Sequence, residues 1–125
     1  MIHVTETIRD FCAGMGIKDV RLRDENSLTL QIQNAGRFSI ESDNTSDTVF
    51  ITLAQPLSYL TEQETRTILE ATHYRQRHPW PLQAALGKND EVAFVVRLPA
   101  HDFTVQSAYE ILSFLRQQHQ EVRPR

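Results

Sequence analysis

The order in which two hydrophobic periods follow one another along the chain constrains its fold more than any other feature. Apolar residues recur every third or fourth position near Ile8, Ile68 and Leu112, which is the spacing of amphipathic helices. They alternate with polar residues in Ser27–Gln33 and Thr48–Ala54, which is the spacing of half-buried strands. The full order is α-β-β-β-α-β-β-α, and it predicts an α+β domain with an antiparallel five-stranded sheet and three helices.

The first two helices are predicted from their capping residues. Thr5 or Thr7 can cap the first helix, and Gly14 and Gly16 can end it because glycine readily adopts the left-handed conformation that follows a last helical turn. The stretch Thr61–Glu64 is a capping-box pattern. The second helix is therefore expected to start there and to run to about Gln76.

The remaining elements are predicted from the alternation of apolar and polar residues and from the proline and threonine residues that lie at the ends of the elements. Thr104 is expected to cap the last helix, and the polar end of the chain, residues 117–125, is expected to fray. The other predicted strands are Arg37–Ser42, Leu82–Leu86 and Glu91–Leu98.

Composition indicates one soluble domain, residues 1–125, in a reducing compartment. The net charge of −3 argues against nucleic-acid binding, which relies on a clustered excess of Lys and Arg. Cys12 is the single cysteine and cannot form an internal disulfide. Met1–Phe11 has no apolar run of signal-peptide length, and no stretch approaches the ~20 apolar residues of a membrane span. A soluble cytosolic protein with no membrane insertion is expected.

The sequence contains no recognisable catalytic, metal or cofactor motif. His73 and His78 are five residues apart, whereas two ligands on one helical face would be three or four apart. Gly14-Met15-Gly16 follows a helix instead of a strand and lacks the third glycine of a dinucleotide site. Cys12 lies on an apolar stripe, which favours a small buried hydrophobe over a nucleophile. His101 and Asp102 would need an activated serine to form a Ser-His-Asp site, and the sequence contains no G-x-S-x-G motif that would present one. Neither a catalytic site nor a cofactor is therefore predicted.

The second helix offers an argument for association with another protein. Its apolar stripe of Ile68, Leu69, Ala71 and Thr72 is narrower than a helix fully covering its own sheet would show. Small residues suit the close approach of a second helix, so this stripe is a candidate dimer interface; the alternative is a peripheral helix packed lightly on its own sheet. Trp80, between two prolines, is either an interface anchor or a plug for the end of the domain's own core.

The strands offer a second candidate surface. Phe50 interrupts the polar side of its strand, opposite to Val49 and Ile51. A mildly polar sheet with unpaired edge groups can accept an extended peptide as an added strand. An ordinary sheet with one solvated face explains the same pattern equally well.

Three stretches of the chain carry a family resemblance: Ile8–Ile17, Glu91–Leu98 and Leu115–Val122. They resemble the class I type III secretion chaperones of Gram-negative bacteria, nearest the SycN-like branch, whose members partner YscB-type chaperones. The resemblance implies the same α-β-β-β-α-β-β-α fold. It also implies a cytosolic dimer that uses no ATP or other cofactor and that binds the N-terminal non-globular segment of a secreted client. In the SycN-like branch the expected assembly is a heterodimer, and the expected client is the gatekeeper that plugs the secretion apparatus.

The resemblance assigns roles to particular residues. The dimer-facing set is Ile68, Leu69 and Thr72, with Trp80 as a further candidate. The client-facing set is Phe11, Met15, Leu30 and Phe50. Changing Phe11 or Phe50 to Glu is expected to weaken client capture and to leave the fold intact. Two alternatives stay open: a homodimeric chaperone for an injected effector, and a small enzyme whose polar residues converge only in the fold.

Overall fold

The computed structural model of the protein describes residues 2–16, 27–33, 35–43, 45–56, 61–73, 78–87 and 91–122. Within these ranges, three α-helices and five strands follow the order read from the sequence, and a short 3-10 helix, Ala100–Asp102, precedes the last α-helix. The helices are α1 (Ile2–Gly14), α2 (Glu62–Ala71) and α3 (Val105–Val122). The strands are β1 (Ser27–Ile32), β2 (Gly36–Asp43), β3 (Thr48–Pro56), β4 (Leu82–Gly87) and β5 (Glu91–Pro99).

The five strands form one antiparallel sheet in the order β1-β2-β3-β5-β4. The side chains that alternate along β3 separate the two faces, because Val49, Ile51 and Leu53 are buried while Phe50 and Thr52 keep part of their surface. Both α1 and α2 contact α3, and α3 contacts β3 and β5. All three helices therefore lie on the apolar face. The predicted fold class is confirmed.

The turn between β1 and β2 requires a glycine. Gly36 has a φ of +119°, and a Cβ atom there would collide with the carbonyl oxygen of Ala54 on β3. Asn34-Ala35-Gly36 is a tight-turn sequence, and its first residue, Asn34, lies outside the described residues. Ala35 donates its backbone N–H to the Ile32 carbonyl (3.1 Å), which closes the end of β1.

The helix starts differ from prediction at α1 and agree at α2. α1 begins at Ile2, so Thr5 and Thr7 are inside the helix, and the Thr7 hydroxyl donates to the His3 carbonyl four residues back (2.8 Å). The prediction of a threonine cap there is wrong, because the chain before Thr5 also carries a residue that packs in the core, Val4. In α2 the capping box between Thr61 and Glu64 is confirmed.

The ends of α2 and α3 differ more from the prediction than the helix starts do. α2 ends at Ala71, shorter than the predicted end near Gln76; residues 74–77 lie outside the described part of the chain. The prediction that the chain frays from residue 117 is wrong for 117–122, because α3 continues to Val122. Its last turns are held to the sheet by His119, which is buried, donates from Nε2 to the Leu53 carbonyl (2.6 Å) and packs edge-on against the Phe94 ring. Thr104 caps α3 as predicted, since its hydroxyl accepts the Ser107 N–H (3.0 Å).

α1 and α3 cross so closely that Gly14 has no space for a side chain. A Cβ atom at Gly14 would overlap the hydroxyl oxygen of Tyr109, and that hydroxyl donates to the Phe11 carbonyl (3.3 Å). Gly14→Ala is therefore expected to lower the free energy of unfolding by about 1 kcal/mol, because it displaces a hydrogen bond. In a Tyr109→Phe background the same change should instead raise it by about 0.5–1 kcal/mol, since alanine is the better helix former.

Urea denaturation of the four proteins in this double-mutant cycle measures both effects. Equal effects of Gly14→Ala in the two backgrounds would show that the Tyr109 hydroxyl does not set the approach of α1 to α3.

Candidate partner-binding surfaces

Helix α2 covers its own sheet only lightly. Of its residues, Glu64 and Ile68 are buried, and the capping box holds Glu64 at the helix start. The outward side of the helix carries an exposed Glu62–Arg66 pair (3.5 Å), which belongs to the class of surface ion pairs that contribute little to stability. Only one narrow side of α2 thus packs against its own domain.

An apolar groove of about 200 Å³ runs between α2 and the edge strand β4. Its α2 wall is formed by Ile68, Leu69 and Thr72, and its other wall by Ala84 and Ala85. Leu69 is 63% exposed, and among the described residues it is the only large hydrophobic side chain that is mostly open to solvent. Covering such a side chain contributes about 1.5–3 kcal/mol, and exposed apolar patches rimmed by polar residues mark interaction sites.

The predicted dimer-facing residues are only partly brought together. Ile68 lies at the buried side of the groove, Leu69 at the open side, and Thr72 donates its hydroxyl to the Ile68 carbonyl (3.0 Å) at the helix end. Trp80 does not line this groove. It is half-buried against Phe114 of α3, with ring centroids 5.5 Å apart, which agrees with its reading as a plug for the domain's own core.

The alanines of the second wall were missed by sequence reasoning. Ala84 and Ala85 were assigned only to a strand of a hairpin. Two consecutive small residues in that strand were the available signal, because a strand whose side chains are short leaves space above it. The strand order decides that this strand lies at a sheet edge, next to α2.

The sheet face opposite to the helices forms a second candidate surface. In the described part of the chain no helix packs on it. Phe50 is half-buried there, and the register places it between Glu41 of β2 and Arg97 of β5. Further along, Arg37 and Glu91 form a bidentate ion pair (Nη1–Oε1 3.1 Å, Nη2–Oε2 2.7 Å) that joins β2 to β5 across β3. The surface is mildly apolar along β3 and charged at its sides.

The predicted client-facing residues do not form one surface. Met15 and Leu30 are half-buried and pack against the core on the helix side, whereas Phe50 faces the opposite side of the sheet. Phe11 is 0% exposed and packs on the rings of Phe38 and Tyr109, with centroids 5.6 and 4.8 Å away. Phe11 has no surface to offer a client, and the expectation that Phe11→Glu leaves the fold intact is wrong because the change would bury a charge in the core.

The ionisable groups show no arrangement for catalysis within the described residues. Burial raises the pKa of the Cys12 thiol, which keeps it protonated and unreactive. The Asp43 carboxylate accepts hydrogen bonds from the Ser46 hydroxyl and the Thr45 N–H, which lower its pKa and order the turn before β3. No group of three His, Cys, Asp or Glu side chains among those residues could hold a metal ion.

None of the described helices combines the length and the hydropathy that crossing a membrane requires.

Comparison with known protein families decides what this fold belongs to. The family model of the type III secretory system chaperone SycN matches residues 3–123, almost the whole chain. The chain belongs to the SycN family of type III secretion chaperones. The resemblance read from the sequence is thereby confirmed. Because this family consists of secretion chaperones, which are not enzymes, membership also decides against the alternative of a small enzyme.

Solved structures share the fold at low sequence identity. The Yersinia pestis type III secretion chaperone SycH, solved in complex with a stable fragment of YscM2, superposes with a TM-score of 0.72 at 11% identity, covering 96% of this chain and 99% of that one. A chain of the ExsC–ExsE complex gives 0.72 at 14% identity, with 93% and 86% covered. A chain of the heterodimeric ExoU–SpcU complex of Pseudomonas aeruginosa gives 0.67 at 14% identity, with 92% and 93% covered.

These identities support the fold alone. No curated protein is similar enough in sequence to count as a match.

Proposed function

We propose that this SycN-family chain is one subunit of a dimeric cytosolic chaperone that binds the N-terminal non-globular segment of a secreted protein and keeps it soluble for export. The observation that carries the proposal is the apolar groove between α2 and β4, with Leu69 exposed beside it. The similar structures of SycH with a YscM2 fragment and of ExoU with SpcU are complexes of two proteins, which supports the presence of a partner here.

The second subunit is proposed to be a different small chaperone. A strong homodimer is expected to bury a broad leucine-rich stripe, whereas α2 carries Thr65 and Thr67, is followed by Thr72, and has only Ile68 and Leu69 as large apolar residues. A partner with a broader apolar surface would complement this narrow one. The gatekeeper-type client follows from the same branch of the family, and a homodimeric chaperone for an injected effector is the competing assignment.

The client is proposed to dock on the sheet face that carries Phe50. A disordered segment loses conformational entropy when it binds, so it needs a long surface on which several weak contacts add up. The face opposite to the helices spans five strands and offers Phe50 as an apolar contact, with Glu41 and Arg97 on either side of it for polar contacts. Met15, just after α1, and Leu30 of β1, both half-buried on the core side of the sheet, are a second proposed contact.

Co-expression tests the assembly. The chain is produced alone and together with a second small acidic chaperone of the same secretion system, and the particle mass is measured by light scattering. A 1:1 complex with the second chaperone, together with an insoluble or unstable lone chain, supports the heterodimer. A soluble dimer of the lone chain that copurifies an effector leader supports the homodimer. A strict monomer in both experiments at tens of micromolar would refute the proposed interface.

Phe50→Glu is expected to weaken the binding of a client leader peptide about tenfold or more, since it replaces an apolar contact with a charge that must be desolvated. Titration of the peptide against the assembled chaperone measures the change. Ser113→Glu, at an exposed position of α3 on the helix side, adds the same charge away from this face and should leave the affinity unchanged. Equal affinities of the two variants would remove Phe50 from the client surface.

A further inference from the structure

Three rings pack together where the chain approaches β4: His78 and Trp80, which precede that strand, and Phe114 of α3. The Phe114 ring of α3 is contacted by His78 at 5.1 Å in an edge-on arrangement and by Trp80 at 5.5 Å. Aromatic pairs in these geometries are favourable beyond the area they bury. The cluster of His78, Trp80 and Phe114 therefore fastens the chain at residues 78 and 80, shortly before β4, to α3.

His78 also holds the end of α2 directly. Its Nε2 lies 2.7 Å from the Ala71 carbonyl oxygen, and because a carbonyl only accepts, Nε2 carries the proton and donates. The last carbonyls of a helix have no partner inside the helix, so a side-chain donor at this position satisfies one of them. Since Glu64 and Ile68 are the buried side chains of α2, both upstream of this end, the contact of His78 helps to locate the C-terminal end of the helix.

The same segment leads into the other wall of the groove. Trp80 is followed by Pro81 and by Leu82, which is buried and begins β4. Thr72, which caps the end of α2, and Ala84 of β4 line the two walls of the groove. His78, which contacts the Ala71 carbonyl, and Trp80, which precedes β4, connect the cluster to both walls. We infer that the His78–Trp80–Phe114 cluster sets the distance between α2 and β4, and so positions the groove for the second subunit.

This inference rests on the proposed dimer interface, and hydrogen exchange tests it independently of assembly. The Thr72 amide donates to the Ile68 carbonyl (3.1 Å) and reports on the last turn of α2. His78→Ala removes both the ring contact and the hydrogen bond, and it should raise the exchange rate of this amide about tenfold while β3 and β5 amides are unchanged. His78→Phe keeps a ring and should give an intermediate rate. His101→Ala, at a histidine side chain that is 76% exposed, is the control with no expected effect.

Two exchange results would overturn the inference: a Thr72 rate that does not change in His78→Ala, or an equal rise at all amides, which indicates general destabilisation. The second measurement is the dissociation constant for the second subunit, expected to rise about tenfold in His78→Ala and less in His78→Phe. An unchanged constant despite a looser α2 would also overturn it. If the wild-type chain associates with nothing, the proposed interface fails, and the exchange result alone decides whether the cluster holds α2.

Discussion

Leu69→Glu is expected to raise the dissociation constant for the second subunit a hundredfold or more. The change removes the large apolar side chain beside the α2–β4 groove and places a carboxylate where the partner would exclude water. Because Leu69 is 63% exposed in the single chain, the free energy of unfolding of the monomer should change by less than about 0.5 kcal/mol. Analytical ultracentrifugation over a concentration series measures the first effect and urea denaturation the second.

Gln63→Glu is the matched control for this experiment. Gln63 is exposed on the same helix but away from the groove, and the change adds the same charge without altering the size of the side chain. It should leave association within twofold of the wild type. If Leu69→Glu associated as tightly as Gln63→Glu, the groove would not be the interface, whatever the assembly state of the protein.

Phe11→Ala is expected to lower the free energy of unfolding by about 3–5 kcal/mol, which is a large part of the 5–15 kcal/mol that a domain of this kind has. Phe11 is fully buried between Phe38 of β2 and Tyr109 of α3, so removing its ring leaves a cavity at the junction of α1, α3 and the sheet. Urea denaturation monitored by circular dichroism measures the loss.

Phe50→Ala separates a core role from a client role, because Phe50 is the half-buried phenylalanine on the other face of the sheet. It should lose about 1 kcal/mol of stability, since only part of its surface is removed from water. A Phe11→Ala protein that is as stable as Phe50→Ala and fails only in client binding would contradict the core assignment and return Phe11 to the client surface.

Local signals in the sequence were enough to predict the type and order of the helices and strands. The capping box of Thr61 and Glu64, the cap at Thr104 and the alternation along β3 each depend on residues a few positions apart, and each is found in the structure. The end of α3 was predicted wrongly for a corresponding reason. His119 and Val122 look like part of a polar tail in the sequence, and only the nearby Leu53 carbonyl and Phe94 ring make the last turns stable.

The candidate sites could not be predicted in full from local patterns, because they depend on which residues distant in sequence come together in the fold. Periodicity located the stripe of Ile68 and Leu69, but it could not show that β4, with Ala84 and Ala85, forms the opposite wall. Nor could it separate Phe11 from Phe50, since both are phenylalanines on apolar patterns and differ only in whether another element covers them.

The sequence by itself determined the order and type of the elements, because hydrophobic period, caps and turn residues act over a few positions along the chain. The tertiary structure alone decided that α2 leaves a groove beside the edge strand β4, that Trp80 packs on Phe114 instead of lining that groove, and that Phe11 is enclosed. The physical reason is that a side chain is buried only when a second surface, often distant in sequence, packs against it. The order of the strands and the placement of the helices determine which surfaces pack together.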